Sequence, residues 1–169
     1  MDTTTDSARA PGVIAPGHGH HLHFLNHLAT IRVSAGAHGS MSVVEFEAPR
    51  GFGPPLHRHD TEDELFVILD GELELRSGDD RSTAAAGDTV FLPHGRAHTF
   101  QVLSATARFT CVAATRTGVP RFDRMVAELG EPVEEPSLPE PGYLDATRIA
   151  DVCRRYGIEV LGPPPEPLP

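Results

Sequence analysis

Between residues 28 and 114 the chain is a series of short apolar runs, each cut off by Gly, Pro, Asp or Ser. The runs are LATIRV (28–33), MSVVEFE (41–47), ELFVILDGELEL (64–75), DTVFLP (88–93), AHTFQVL (97–103) and ARFTCVAA (107–114). Each is rich in Val, Ile, Phe, Thr or Leu and close to the length of a typical strand. No helical segment intervenes. Evenly spaced short strands without helices restrict the fold to an all-β sandwich, jelly roll or barrel. Within the third run, Asp70-Gly71 stands between two alternating stretches and predicts a hairpin with a type I′ turn. SGDD (77–80) predicts a further turn.

The pattern changes after residue 118. In PRFDRMVAELG (120–130), Phe122, Met125, Val126 and Leu129 fall at helical spacing, with Pro120 at the start and Gly130 at the end. DATRIADVCRRYG (145–157) repeats the pattern with Ile149, Val152, Cys153 and Tyr156, with Asp145 as N-cap and Gly157 as C-terminal stop. Helices this short need a partner surface, so each is expected to dock on the β core. The acidic, proline-rich stretch 131–142 between them predicts an extended surface linker, and the tail GPPPEPLP a loose end. The expected organisation is therefore a disordered arm over 1–17, a β domain over 18–118, and helices, linker and tail over 119–169.

A chain of 169 residues suits one such domain. Its formal charge of −10 excludes the basic face that a nucleic-acid or anionic-membrane partner requires. No apolar run approaches a membrane span. The polar start MDTTTDSARAPG lacks the layout of a secretory signal, which predicts a cytoplasmic protein. Two cysteines, Cys111 and Cys153, make no disulfide framework. Lysine is absent, which removes Schiff-base chemistry and the phosphate-binding P-loop.

The chemistry lies in the histidines. Half of the ten fall in HGHHLHFLNH (18–27), and a sparser group occurs in HRHDTEDE (57–64). His57 and His59 are two apart, which on a strand puts both imidazoles on one face. Glu64 follows at odd spacing, so a turn or bulge among Asp60, Thr61 and Asp63 is needed to return it to that face. The flanking glycines are regular. Gly51 stands six residues before His57, and Gly71 seven after Glu64. Gly87, Pro93, Gly95 and His98 follow at fixed intervals.

These residues resemble the two motifs of the cupin superfamily. The first, G-x5-HxH-x4-E-x6-G, is matched in full by Gly51, His57, His59, Glu64 and Gly71. The second, G-x5-PxG-x2-H-x3-N, is matched by Gly87, Pro93, Gly95 and His98, with Val102 in place of the final Asn. The resemblance implies a double-stranded β-helix jelly roll (the cupin barrel) with two C-terminal helices. It further implies one divalent transition metal held by His57, His59, Glu64 and His98. Imidazole and carboxylate suit Fe, Ni, Mn, Co, Cu or Zn without choosing among them. The wider layout is similar to single-domain quercetin 2,3-dioxygenase-like cupins of bacteria. That similarity implies a dioxygenase in which Glu64 is both ligand and base toward an enol or phenol that reacts with O2; the cupin resemblance at large implies a homodimer and an enzyme of secondary metabolism. Burial beside an apolar pocket is expected to raise the Glu64 pKa. A non-oxidative cyclase or isomerase and a non-catalytic ligand-binding cupin are the alternatives, since fold alone does not settle function.

If His98 points inward, so do Phe100 and Val102; if Glu64 does, so do Phe66 and Ile68. Phe66, Phe100 and Val102 are therefore candidates to line a cavity for an apolar or aromatic small molecule. Other groups read more simply. His94 and His38 belong to turns, Asp60, Glu62 and Asp63 to a solvated turn, and Cys111 to a buried, inert strand position. The dense cluster 18–27 contains no acid and reads as an edge strand or lid with exposed imidazoles, His21 or His23 bordering the cavity mouth.

Overall fold

The computed structural model describes residues 12–168; residues 1–11 of the expected arm lie outside them. The elements in order are β1 (His20–Phe24), β2 (His27–Val33), a one-turn α1 (Ala35–His38), β3 (Met41–Pro49), β4 (His57–His59), β5 (Glu62–Asp70), β6 (Glu72–Ser77), β7 (Asp80–Ala85), β8 (Thr89–Leu92), β9 (Thr99–Val102) and β10 (Thr106–Thr115). They are followed by α2 (Phe122–Leu129), β11 (Glu131–Pro132), α3 (Ala146–Arg155) and β12 (Ile158–Val160).

The strands form a seven-stranded sheet in the order β11-β1-β2-β3-β10-β5-β8, a three-stranded sheet β7-β6-β9 and a two-stranded sheet β12-β4, all paired antiparallel. Strict alternation on β3 and β5 sends Val44, Phe46, Phe66 and Ile68 into the interior. There they meet side chains from the opposite sheet. Phe66 of β5 lies edge-on to Phe100 of β9 at 5.8 Å, and Phe100 meets Phe109 of β10 at 5.3 Å. Sheets facing each other across one aromatic core form the expected jelly roll.

Two turns depart from the sequence reading. Asp70-Gly71 joins no hairpin, because β5 pairs with β10 and β8 while β6 pairs with β7 and β9. The dipeptide is a corner between sheets. Gly71 adopts φ +80, and a Cβ there would stand 2.4 Å from the Thr106 carbonyl oxygen. The left-handed two-residue turn that Asp-Gly suggested occurs instead at Leu25 (φ 49) and Asn26 (φ 66), closing β1 on β2 with Phe24 opposite His27. The SGDD turn forms as expected, with Ser77 opposite Asp80.

Both C-terminal helices form, and the Asp145 carboxylate caps α3 by accepting from the Thr147 and Arg148 amides at 3.0 Å each. The linker between them is mostly exposed, pinned at the Ser137 carbonyl by His23 and at Gly142 by a reciprocal pair of bonds with Asn26. The tail is not a loose end. The Leu56 amide donates to the Pro163 carbonyl at 3.3 Å, and the Gln101 side chain to the Glu166 carbonyl at 2.7 Å. On the outward face of β9 the tail covers Gln101, and the hydroxyl of the equally buried Thr99 donates to the Pro54 carbonyl at 2.7 Å. No helix among the described residues is long and apolar enough to cross a membrane.

Candidate metal centre

His57, His59, Glu64 and His98 come from three places in the fold and meet at one. β4 supplies both His57 and His59. The chain breaks at Asp60-Thr61, which resets the face, and β5 then turns Glu64 inward. His98 arrives at the end of the turn PHGRAH. There the Gly95 amide donates to the His59 carbonyl at 2.8 Å, and His57 and His98 exchange backbone bonds of 3.1 and 2.9 Å. The four motif glycines, 51, 71, 87 and 95, all have φ between +76 and +96, the left-handed region that excludes most side chains at little cost to Gly. Their regular spacing therefore records where the backbone must turn around the site.

One donor atom from each of the four residues lies within 4.8 Å of the others. The His57 Nδ1 donates to the Pro55 carbonyl at 2.7 Å and the His98 Nδ1 to the Arg96 carbonyl at 3.0 Å. A carbonyl only accepts, so each Nδ1 carries the hydrogen and each Nε2 keeps its lone pair for a metal. Burial lowers the His57 pKa to about 3, with the neighbouring His98 and His59 acting in the same direction, so this imidazole is neutral as a ligand must be. His59 is sealed from solvent. Its Nε2 stands 3.2 Å from Glu64 Oε2 without the alignment of a hydrogen bond, and among the described residues neither of its ring nitrogens has a hydrogen-bond partner. Polar atoms are rarely left so in a protein interior. A cation accepting the Nε2 lone pair resolves the one that faces Glu64, and the donor set of three imidazoles and one carboxylate suits a divalent transition metal.

Glu64 differs from expectation. Burial alone would raise its pKa, but a protonated His59 beside it, whose own pKa the neighbouring carboxylates raise against burial, and the His98 contact hold Glu64 well below the usual carboxylate range; a bound metal would take the place of the His59 proton. The Glu64 Oε1 accepts from the Cys111 thiol at 3.3 Å and the Oε2 stands 3.2 Å from the His98 Nε2. Burial and the adjacent Glu64 keep Cys111 a thiol; the residue is buried, as expected, but it bonds to the carboxylate of this cluster.

Glu62 also departs from the sequence reading. It is 2% exposed, and its Oε1 accepts from the Arg121 amide at 2.6 Å. Placed at the start of β5 with the same parity as Glu64, it turns inward rather than to solvent. Asp63 points the other way and bonds the exposed His94 at 2.6 Å. His38 lies in α1 rather than a turn.

The cluster opens onto a narrow cleft with a cavity volume of about 70 Å³. Phe66 and Phe100 line it; Val102 does not, being fully buried on β9 opposite Leu73. Met125 from α2, Ile149 and Cys153 from α3, and Ile158 and Val160 from β12 close its other side. β12 pairs directly with the ligand strand, Ile158 opposite His59 and Val160 opposite His57. Of the dense histidine cluster, it is His27 that borders the cleft, 3% exposed. His21 and His23 alternate outward, because Leu22 and Phe24 take the inward parity and the two-residue turn puts His27 on that inward side.

Comparison with known proteins agrees with this geometry. Residues 44–113 match the Cupin domain family. The quercetin 2,3-dioxygenase of Bacillus subtilis (strain 168) is 24% identical over 153 residues, 85% of this chain, and the chain spans only 44% of that relative's length. Among solved structures, KdgF from Halomonas sp. superposes with a TM-score of 0.56 at 16% identity, over 64% of this chain and 96% of that one. A predicted oxalate decarboxylase from Thermotoga maritima gives 0.56 at 20% identity, over 62% and 99%. At such identities the structural likeness speaks for the fold alone. The matched stretch 44–113 contains the motif residues from Gly51 to His98, which the fold gathers at one point inside a jelly roll, so this part of the chain is similar to the Cupin domain family.

Proposed function

We propose that this protein is a metal-dependent cupin dioxygenase that acts with O2 on an apolar, aromatic enol or phenol, in the manner of a quercetin 2,3-dioxygenase. The observation that carries the reading is the placement of His57, His59, Glu64 and His98 within 4.8 Å of one another, beside an aromatic cleft. Such a lining favours a flat apolar ligand over a sugar or a small diacid. A bound divalent transition metal supplies Lewis acidity to a substrate oxygen and electron transfer to O2.

The chain's own residues do the rest. Glu64 is the one carboxylate among the described residues that lines the cleft, so it is the group placed to accept the hydroxyl proton of the substrate. Cys111 fixes its Oε1, which leaves Oε2 as the working atom. Phe66 and Phe100 give the ring a face to stack on and exclude water from an electron-rich anion.

The test uses untagged protein, because His18–His23 would retain nickel from an affinity resin. Bound metal is measured by mass spectrometry, and O2 uptake is followed with a panel of flavonols and polyphenols. About one metal per chain and metal-dependent O2 uptake are expected, with Glu64→Ala reducing turnover by about a hundredfold or more. Metal retained after His57→Ala and His98→Ala together would remove the site. Turnover that continues under argon would replace the dioxygenase with a cyclase or isomerase using the same residues.

A further inference from the structure

Apart from the clustered ligands and the weakly polar Cys153, His27 is the polar side chain among the described residues that lines the cleft. It belongs to a different group of rings. Its ring centroid lies 4.1 Å from Phe52 and 5.1 Å from both Phe24 and Phe46, and among the described residues it makes no ring contact with His57, His59 or His98. Its Nδ1 faces the Leu25 carbonyl at 3.4 Å. That carbonyl only accepts, so Nδ1 holds the hydrogen and Nε2 is the bare nitrogen. Among the described residues Nε2 has no hydrogen-bond partner, yet it is not sealed in the chain as the His59 nitrogens are. A side chain that is 3% exposed and borders the cleft has only the cleft to offer that lone pair to.

We propose that His27 is a second recognition point of the cleft, its Nε2 accepting a hydrogen bond from a hydroxyl on the part of an aromatic substrate remote from the metal-ligating cluster. The inference rests on the proposed function only in taking the substrate to be aromatic. Burial lowers the His27 pKa to about 3, so the ring stays an acceptor at neutral pH. The cleft then takes aromatics with hydroxyl groups at both ends. It discriminates against a methyl ether or a carboxylate at the far end, since neither can donate to a neutral imidazole.

The test compares 2-naphthol with 2-methoxynaphthalene on the full chain, by calorimetry, as purified and again after chelation. One neutral hydrogen bond predicts about 3- to 10-fold tighter binding of 2-naphthol. His27→Phe should bring the ratio to about one while still binding 2-methoxynaphthalene, and His27→Gln should keep part of the preference. The Nε2 nitrogen resonance of wild-type His27 should shift with 2-naphthol and not with the ether, a readout independent of whether His27→Phe folds. The inference is overturned by a ratio of one in the wild type, by a preference that survives in His27→Phe or disappears on chelation, or by a cleft that binds neither probe. Failure of the dioxygenase reading would appear separately, as missing metal or missing O2 uptake, and would leave these ratios unchanged.

Discussion

Replacing His27 by Phe should make the protein less sensitive to mild acid. The imidazole is 3% exposed and its pKa is lowered from 6.5 to about 3, by burial against a weaker opposing bond from the Leu25 carbonyl. Below pH 6.5 the unfolded chain takes up a proton at this site that the folded chain refuses, so stability falls as pH falls. The contribution is complete above the unfolded value and is lost progressively toward the folded one. At about 1.4 kcal/mol per pH unit, with the titration curve included, the loss from about pH 7.5 to about pH 5 is roughly 2 kcal/mol. By about pH 3 it reaches on the order of 4–5 kcal/mol. Urea denaturation of both proteins across that range, with chelator present throughout, reads the difference. The other buried imidazoles titrate in both proteins, and His27 makes no ring contact with them, so their effects cancel. Wild type and His27→Phe losing stability in parallel would refute the reasoning and mean that His27 is already protonated or solvated in the folded state.

Three further substitutions test the frame around the site. Gly157→Ala places a side chain at φ +79, with its Cβ 2.2 Å from Arg121 Nη2 and 2.4 Å from Asp60 Oδ1. It should cost about 2–3 kcal/mol and lower the melting temperature by roughly 5–10 °C by calorimetry. Asp145→Ala removes the acceptor of two capping bonds on α3 and should cost about 1 kcal/mol in urea titration. Deleting 162–169 removes the acceptor of the Leu56 amide and one of the two carbonyls, those of Gly51 and Glu166, to which the Gln101 side chain donates. Amide exchange at Leu56 should accelerate, with a stability loss of about 1–2 kcal/mol.

The parts legible in the sequence are those with a period or a fixed spacing. The long strands β3, β5 and β10 alternate along most of their length, both helices repeat at 3.6, and the glycine-framed motif recorded positive-φ turns that only the backbone needs. What was hidden depends on partners distant in the chain. Asp70-Gly71 has the local signature of a hairpin, but tertiary pairing sends β5 and β6 to different sheets. His27 shares a segment with four other histidines, and its inward position depends on a turn at Leu25-Asn26 that carries no glycine. Glu62 looks solvated in a run of four acids among five residues, yet strand parity buries it with Glu64.

The C-terminal segment was the least legible part and is the one that most directly braces the ligands. A three-residue strand such as β4 has too few bonds to hold its shape alone. On one side it has the bridge from His57 to His98, forty-one residues away; on the other it has β12, a hundred residues away, in register with both ligand histidines. Isolated IEV predicts nothing, because three residues show neither a period nor a face. It becomes a strand only because α3 ends at Gly157, where the left-handed turn redirects the chain and the Gly157 carbonyl accepts from the Asp60 amide at 2.9 Å. The same turn brings the chain against the Arg121–Asp60 ion pair, and the Arg121 amide in turn holds Glu62. The spacing of His57, His59 and Glu64 is thus braced from outside the motif that announces it. A truncation after residue 118 would keep every motif residue and lose one of the two backbone partners of the strand that presents two of the ligands.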